Sequence, residues 1–134
     1  MSGSNFILDK GFKIAAAATK YQLVKFGSAD DTMTPVTGVT DQAMGVLLED
    51  CPAADVTNGR VCDVRLMGLV MVVAGGTITR GNPVRPTSTG AVQAVAGTAG
   101  TNEVIVGYAM ESAVSGDLFH ILLTPGLHNN TATS

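Results

Sequence analysis

The sequence predicts a mainly β domain, a small barrel or sandwich, and three observations carry that expectation. Short apolar runs rich in Val alternate with Gly, Pro, Asn and Asp along the chain, the punctuation of strands joined by turns. Aromatic residues total 4% and Trp is absent, so Gly, Ala, Val and Thr supply most of the bulk, a composition that suits thin strands. The chain also repeats itself. Thr19-Lys20, Val24-Lys25 and Gly45-Val46-Leu47-Leu48-Glu49 return roughly sixty positions later as Thr79-Arg80, Val84-Arg85 and Gly107-Tyr108-Ala109-Met110-Glu111. In each copy a Gly before a charged residue follows (Gly59-Arg60, Gly116-Asp117), then an apolar run (Val61 to Leu66, Leu118 to Leu123) closing on Gly68 or Gly126. Two copies of one β unit imply a single domain, residues 12–126, with halves near 12–68 and 69–126 related by a pseudo-twofold, neither burying its apolar face alone.

In chain order, residues 1–11 are polar apart from Phe6, Ile7 and Leu8 and read as a flexible, extended N-terminal arm. Ile14 to Thr19 is alanine-rich, but the aligned Ala74 to Thr79 contains Gly75-Gly76, which no stable helix tolerates well, so both read as extended or turn-like. Leu23 to Phe26 is a short strand, 27–41 a Ser/Asp/Thr/Pro/Gly loop, and Ala43 to Leu48 a buried strand. Cys51 to Gly59 is a turn region holding Pro52 and the hairpin dipeptide Asn58-Gly59. Val61 to Leu66 suits a half-exposed strand and Leu69 to Val73 a central one. Arg80 to Pro83 is a turn, and Val84-Arg85 begins a strand. After the Ser88-Thr89-Gly90 turn comes Ala91 to Val95, then a loop to Asn102. Val104 to Met110 and Leu118 to Leu123 are the last strands, and 127–134 is a polar tail. Helix content is expected to be low.

A chain of 134 residues is one domain's worth. Hydrophobic residues at 46% exclude a disordered chain, and charged residues at 14% are too few for a highly solvated monomer surface, so a partner is expected to cover part of it. The net charge of −3 (8 basic, 11 acidic) without a basic run argues against direct nucleic-acid binding, which needs clustered Lys and Arg. No secretory signal is visible at the start. The longest apolar run, Leu66 to Ala74, is far shorter than the ~20 residues of a membrane helix. Synthesis in a cytoplasm makes Cys51 and Cys62 reduced thiols rather than a disulfide, and no His or second Cys pair supports a metal site.

No catalytic constellation emerges. Glu49 and Glu111 hold equivalent places in the two copies, and paired carboxylates can do acid–base work, but two strand-end residues facing solvent or a subunit contact is the simpler reading. His120 stands alone between Phe119 and Ile121, and no Ser or Cys sits in a nucleophile elbow. Gly75-Gly76 and Gly97-x-x-Gly100 lack the Lys-Ser/Thr ending of a phosphate loop. The expectation is a non-enzyme without cofactor or metal.

The second copy carries a phrase that points further. Gly68 to Ala74 is followed by Thr77-Ile78-Thr79-Arg80-Gly81-Asn82-Pro83-Val84, then Gly90-Ala91-Val92, Val106-Gly107-Tyr108-Ala109-Met110-Glu111 and Gly116-Asp117-Leu118. In this order the chain, over about residues 12–126, resembles a tailed-bacteriophage family of small capsid cement, or head decoration, proteins. It departs from them in Asn82-Pro83, where an acidic residue is common, and in its longer Cys51–Asn58 loop. The resemblance implies a protein of the outer capsid surface of the virion, made in the host cytoplasm, that binds the major capsid protein, commonly as a homotrimer, and stabilises the shell. Phe6, Ile7 and Leu8 are the candidate capsid contact, because an apolar patch on a polar terminus has no obvious core to join. The competing reading is a small-ligand-binding β-barrel, which requires an apolar cavity with a few convergent polar groups.

Overall fold

The computed structural model describes residues 8–97 and 102–129. Along them run β1 (Leu8–Ile14), β2 (Leu23–Phe26), β3 (Thr32–Pro35), β4 (Gly45–Leu47), α1 (Ala53–Thr57), β5 (Val61–Val73), β6 (Pro83–Pro86), β7 (Val92–Ala94), β8 (Asn102–Ala109) and β9 (Leu118–Asn129). The protein is mainly β, as its composition predicts. The order β1-β3-β2-β4-β5 closes on itself because β1 also pairs with β5, giving a five-stranded barrel with no free edge strand among the five. β5 then runs past Gly68, whose φ of 113° no side-chain-bearing residue adopts readily, into a second set of strands, β5-β9-β8-β6-β7. The single parallel bridge Ala74↔Val92 ties β7 back to the end of β5.

The pairing scheme of the first half recurs in the second, residue by residue. Leu23↔Val46 and Val24↔Gly45 correspond to Pro83↔Tyr108 and Val84↔Gly107. Phe12↔Cys62 corresponds to Val72↔Phe119, and Leu47↔Val64 to Ala109↔Ile121. The bridge Ala18↔Cys51 corresponds to Ile78↔Ala113. Both matched glycines admit close strand approach: a Cβ on Gly45 would meet Val64 Cγ1 at 2.5 Å, and one on Gly107 would meet the Leu122 carbonyl oxygen at 1.9 Å.

Two cores follow from this scheme. The first holds Phe12, Ile14, Ala18, Val24, Met33, Leu47, Cys51, Cys62 and Val64. The second contains the counterpart of every one: Val72, Ala74, Ile78, Val84, Val92, Ala109, Ala113, Phe119 and Ile121. It also takes in Leu23, Val36, Ala43 and Val46 from the first half. Alternation along a strand explains this: Val24 and Leu47 point into their own barrel, so their neighbours Leu23 and Val46 point out of it and are covered by the second half.

Several local expectations change. The 27–41 loop contains β3, whose Met33 is fully buried. Part of the Cys51–Gly59 turn is helix α1, which buries none of its residues. Val61 to Leu66 and Leu69 to Val73 are one continuous strand rather than two. Residues 8–11 of the expected arm are extended but are strand β1, paired from Leu8↔Met67 to Gly11↔Asp63. Residues 127–129 of the expected polar tail belong to β9.

Candidate interaction surface

The equivalent carboxylates do structural work, each within its own half. Glu49 accepts a hydrogen bond from the Asp63 N–H at 2.9 Å and pairs with Arg60, which also reaches Asp55 at 2.8 Å. Glu111 accepts from the N–H of His120, the counterpart of Asp63, at 2.9 Å, and its Oε1 lies 2.7 Å from His120 Nδ1. These two contacts, the ring first and the backbone second, hold the Glu111 carboxyl below its ordinary range. His120 is therefore strapped to a neighbouring strand end. Among the described residues no group of His, Cys, Asp or Glu is placed to hold a metal ion.

Cys51 and Cys62 are both free and fully buried. Burial, and then a hydrogen bond with Cys51, push the Cys62 thiol up to about 12. A thiol in that environment is neither a nucleophile nor a ligand near neutrality.

What distinguishes the surface is the outer face of the second set of strands. Leu69 on β5 lies opposite Leu122 on β9, Leu122 opposite Tyr108 on β8, and Tyr108 opposite Pro83 on β6. Directly opposed residues project from the same face, so these four make one apolar row across four strands. Leu69, Leu122 and Tyr108 are 40–41% exposed, and Met110 and Leu118 flank them at 49% and 48%. The corresponding row in the first half is Asp9–Arg65–Val46–Leu23. There Arg65 grips Asp9 at 2.9 and 3.2 Å, and Val46 and Leu23 lie under the second half. One row is ion-paired or covered; its counterpart is apolar and open. The signal was present in Leu118 to Leu123, a run apolar on both faces where a strand with one solvated face alternates.

In the first half, Lys10, Phe12, Phe26, Leu66 and residues 27–31 line a surface groove of about 620 Å³. A smaller groove of about 480 Å³ lies beside Lys20, Arg65, Leu69, Met71 and His120. Both lie at the surface, so neither is the enclosed apolar cavity that the ligand-barrel reading requires.

Of the three residues expected to contact a capsid, Phe6 and Ile7 lie outside the described residues. Leu8 begins β1 and is 46% exposed, beside the equally exposed Met67. Among the described residues no helix is long and apolar enough to cross a membrane.

No known protein family and no curated protein matches the chain in sequence. Among solved structures, the chain is similar in fold to the N base of the head fiber protein gp8.5 of bacteriophage phi29. The TM-score is 0.64 at 18% identity, over 89% of this chain and 95% of that one, so the two share a fold.

Proposed function

We propose that this protein is a structural component of a phage virion, a decoration protein that sits on the outer capsid surface, binds the major capsid protein and stabilises the assembled shell. The observation that carries the reading is the likeness of nearly the whole chain to a head fiber base. The open apolar row across β5, β9, β8 and β6 supports a role in assembly, because monomeric proteins rarely leave such faces uncovered. The protein acts without catalysis, cofactor, membrane or direct nucleic-acid contact, and self-associates, with a homotrimer as the expected order. It is made in the host cytoplasm and ends on the particle. A ligand that binds only the assembled lattice stabilises that lattice by mass action, and many copies on one lattice let each contact be modest.

The segment carrying Phe6, Ile7 and Leu8 is the proposed capsid contact. The test is to add purified protein to expanded heads that lack it, sediment them, and measure the temperature at which they release DNA. Co-sedimentation at saturable stoichiometry with a higher release temperature supports the reading; absence from the pelleted heads overturns it. Removing residues 2–7 is expected to weaken decoration while leaving β1 and the closed barrel in place.

A further inference from the structure

The chain contains a worked example of how one of its repeats packs on another, and counterparts of both faces of that contact lie at the surface, one in each half. We propose that copies of this chain associate head to tail, the open face around Pro83 and Tyr108 of one copy seating on the Phe26–Asp31 groove of the next, in the manner of the seam inside the chain. This specifies the self-association proposed above and rests on it.

The internal seam defines the fit. On its first-half side, Gln22, Leu23 and Val46 are presented by the turn after Thr19, by the start of β2 and by β4. On its second-half side lie Gly90, Val70 and Leu123. The Leu23 N–H donates to the Gly90 carbonyl at 2.9 Å, Gln22 lies against Gly90, and Leu23, Val46, Val70 and Leu123 share one core. By the pairing scheme, the counterparts of Leu23 and Val46 are Pro83 and Tyr108, which nothing among the described residues covers as Leu23 and Val46 are covered. The counterparts of Val70 and Leu123 are Lys10 and Leu66, and both line the open groove.

The differences between the two pairs of faces compensate. Gly90 corresponds to Asp31, each at a left-handed turn position with φ of 81° and 60°. A Cβ at Gly90 would come within 2.4 Å of Gln22, yet Asp31 has one; the residue that would meet it is Asn82, one methylene shorter than Gln22. The seam's backbone bond is removed on both sides together. Pro83 has no N–H to give, and the Asp31 carbonyl already accepts from the Lys13 N–H at 3.0 Å, so neither a donor nor an acceptor is left over. Charge also matches: Arg80 flanks the apolar face, and Asp30 rims the groove beside Asp31, which Lys10 already holds at 2.9 Å. The place in the array that β5 occupies beyond Gly68 is left open, because β9 beyond Leu123 stays paired with β8 through Gly126↔Ile105 and Leu127↔Val104. The β1 strand of a second copy can take it.

A contact between two different faces is heterologous, and that makes it testable by complementation. Tyr108→Glu spoils one face and Asp30→Lys the other. Each variant alone is expected to be monomeric by light scattering, with a thermal melt like that of the unaltered protein. Mixed, the two are expected to form a one-to-one dimer and nothing larger, since one intact face remains on each. If either variant associates as the unaltered protein does, or if the mixture stays monomeric, the head-to-tail seam is wrong while self-association stands. If the unaltered protein is itself monomeric at high micromolar concentration, both fall.

Discussion

Each core holds one phenylalanine, on opposite partners of the same cross-strand pair: Phe12↔Cys62 in the first and Val72↔Phe119 in the second. The pair therefore has two solutions of similar total volume, and transplanting one into the other core measures how tightly the pair couples. Phe12→Val removes buried ring atoms and leaves a cavity, at a cost of about 2 kcal/mol. Cys62→Phe forces a ring into a full site and costs about 2 kcal/mol by overpacking. Made together, the changes rebuild the second core's arrangement, so a favourable coupling of about 2 kcal/mol is expected and the double variant should be no worse than either single one. In melting temperature, at about 4 °C per kcal/mol for a domain of this size, each single variant falls by about 8 °C. Thermal melts and urea titrations followed by circular dichroism give all four corners of the cycle. Additive losses, with the double variant about 4 kcal/mol below the starting protein, would refute the claim that the two sites are one packing unit in alternative forms.

The matched glycines should respond unequally to alanine: Gly107→Ala meets a backbone carbonyl at 1.9 Å and should cost at least about 3 kcal/mol, whereas Gly45→Ala first meets a side-chain methyl at 2.5 Å and should cost less, as urea midpoints will show. Asp41 accepts from the Lys25 ammonium at 2.9 Å and from the Thr37 N–H, which lower its carboxyl from 3.8 to about 2. A depressed carboxyl contributes stability that is present above its ordinary value and is lost as pH falls through the folded one, so stability should drop between pH 3.8 and about 2, and Asp41→Asn should flatten that part of the curve. A thiol-specific reagent should modify neither Cys51 nor Cys62 in the native protein and both in urea; rapid native labelling would contradict their burial. Superposing the halves through a pseudo-twofold should place Gly45 on Gly107, and a misfit at those two glycines would sink the symmetry.

The class of fold was legible because its signals are local. Valine-rich runs, the Asn58-Gly59 turn and the repeated Gly-x-x-x-Glu phrase each report on a few adjacent residues. What was not legible depended on partners distant in sequence. Thr32 to Pro35 reads as loop, and becomes a strand because Met33 fills the first core beside Ile14 and Phe26. Leu8 to Gly11 reads as a free arm, and is fixed by β5 more than fifty residues away. Gly68 looks like a stop between two strands, yet its left-handed φ lets one strand cross from the barrel to the second set of strands. The apolar outer row was hidden for the same reason: Leu69, Leu122, Tyr108 and Pro83 are neighbours only through strand register, which no spacing in the sequence encodes.

β5 has a mechanical consequence. Its thirteen residues give their first part to the barrel and their last part to the second set of strands, with β1 zipped along the former and β9 along the latter. There is thus no hinge between the two halves: bending one against the other means breaking a continuous strand rather than flexing a linker. Strain applied to either half is carried along that backbone into the other, and the unit answers as one stiff rivet rather than as two beads on a string.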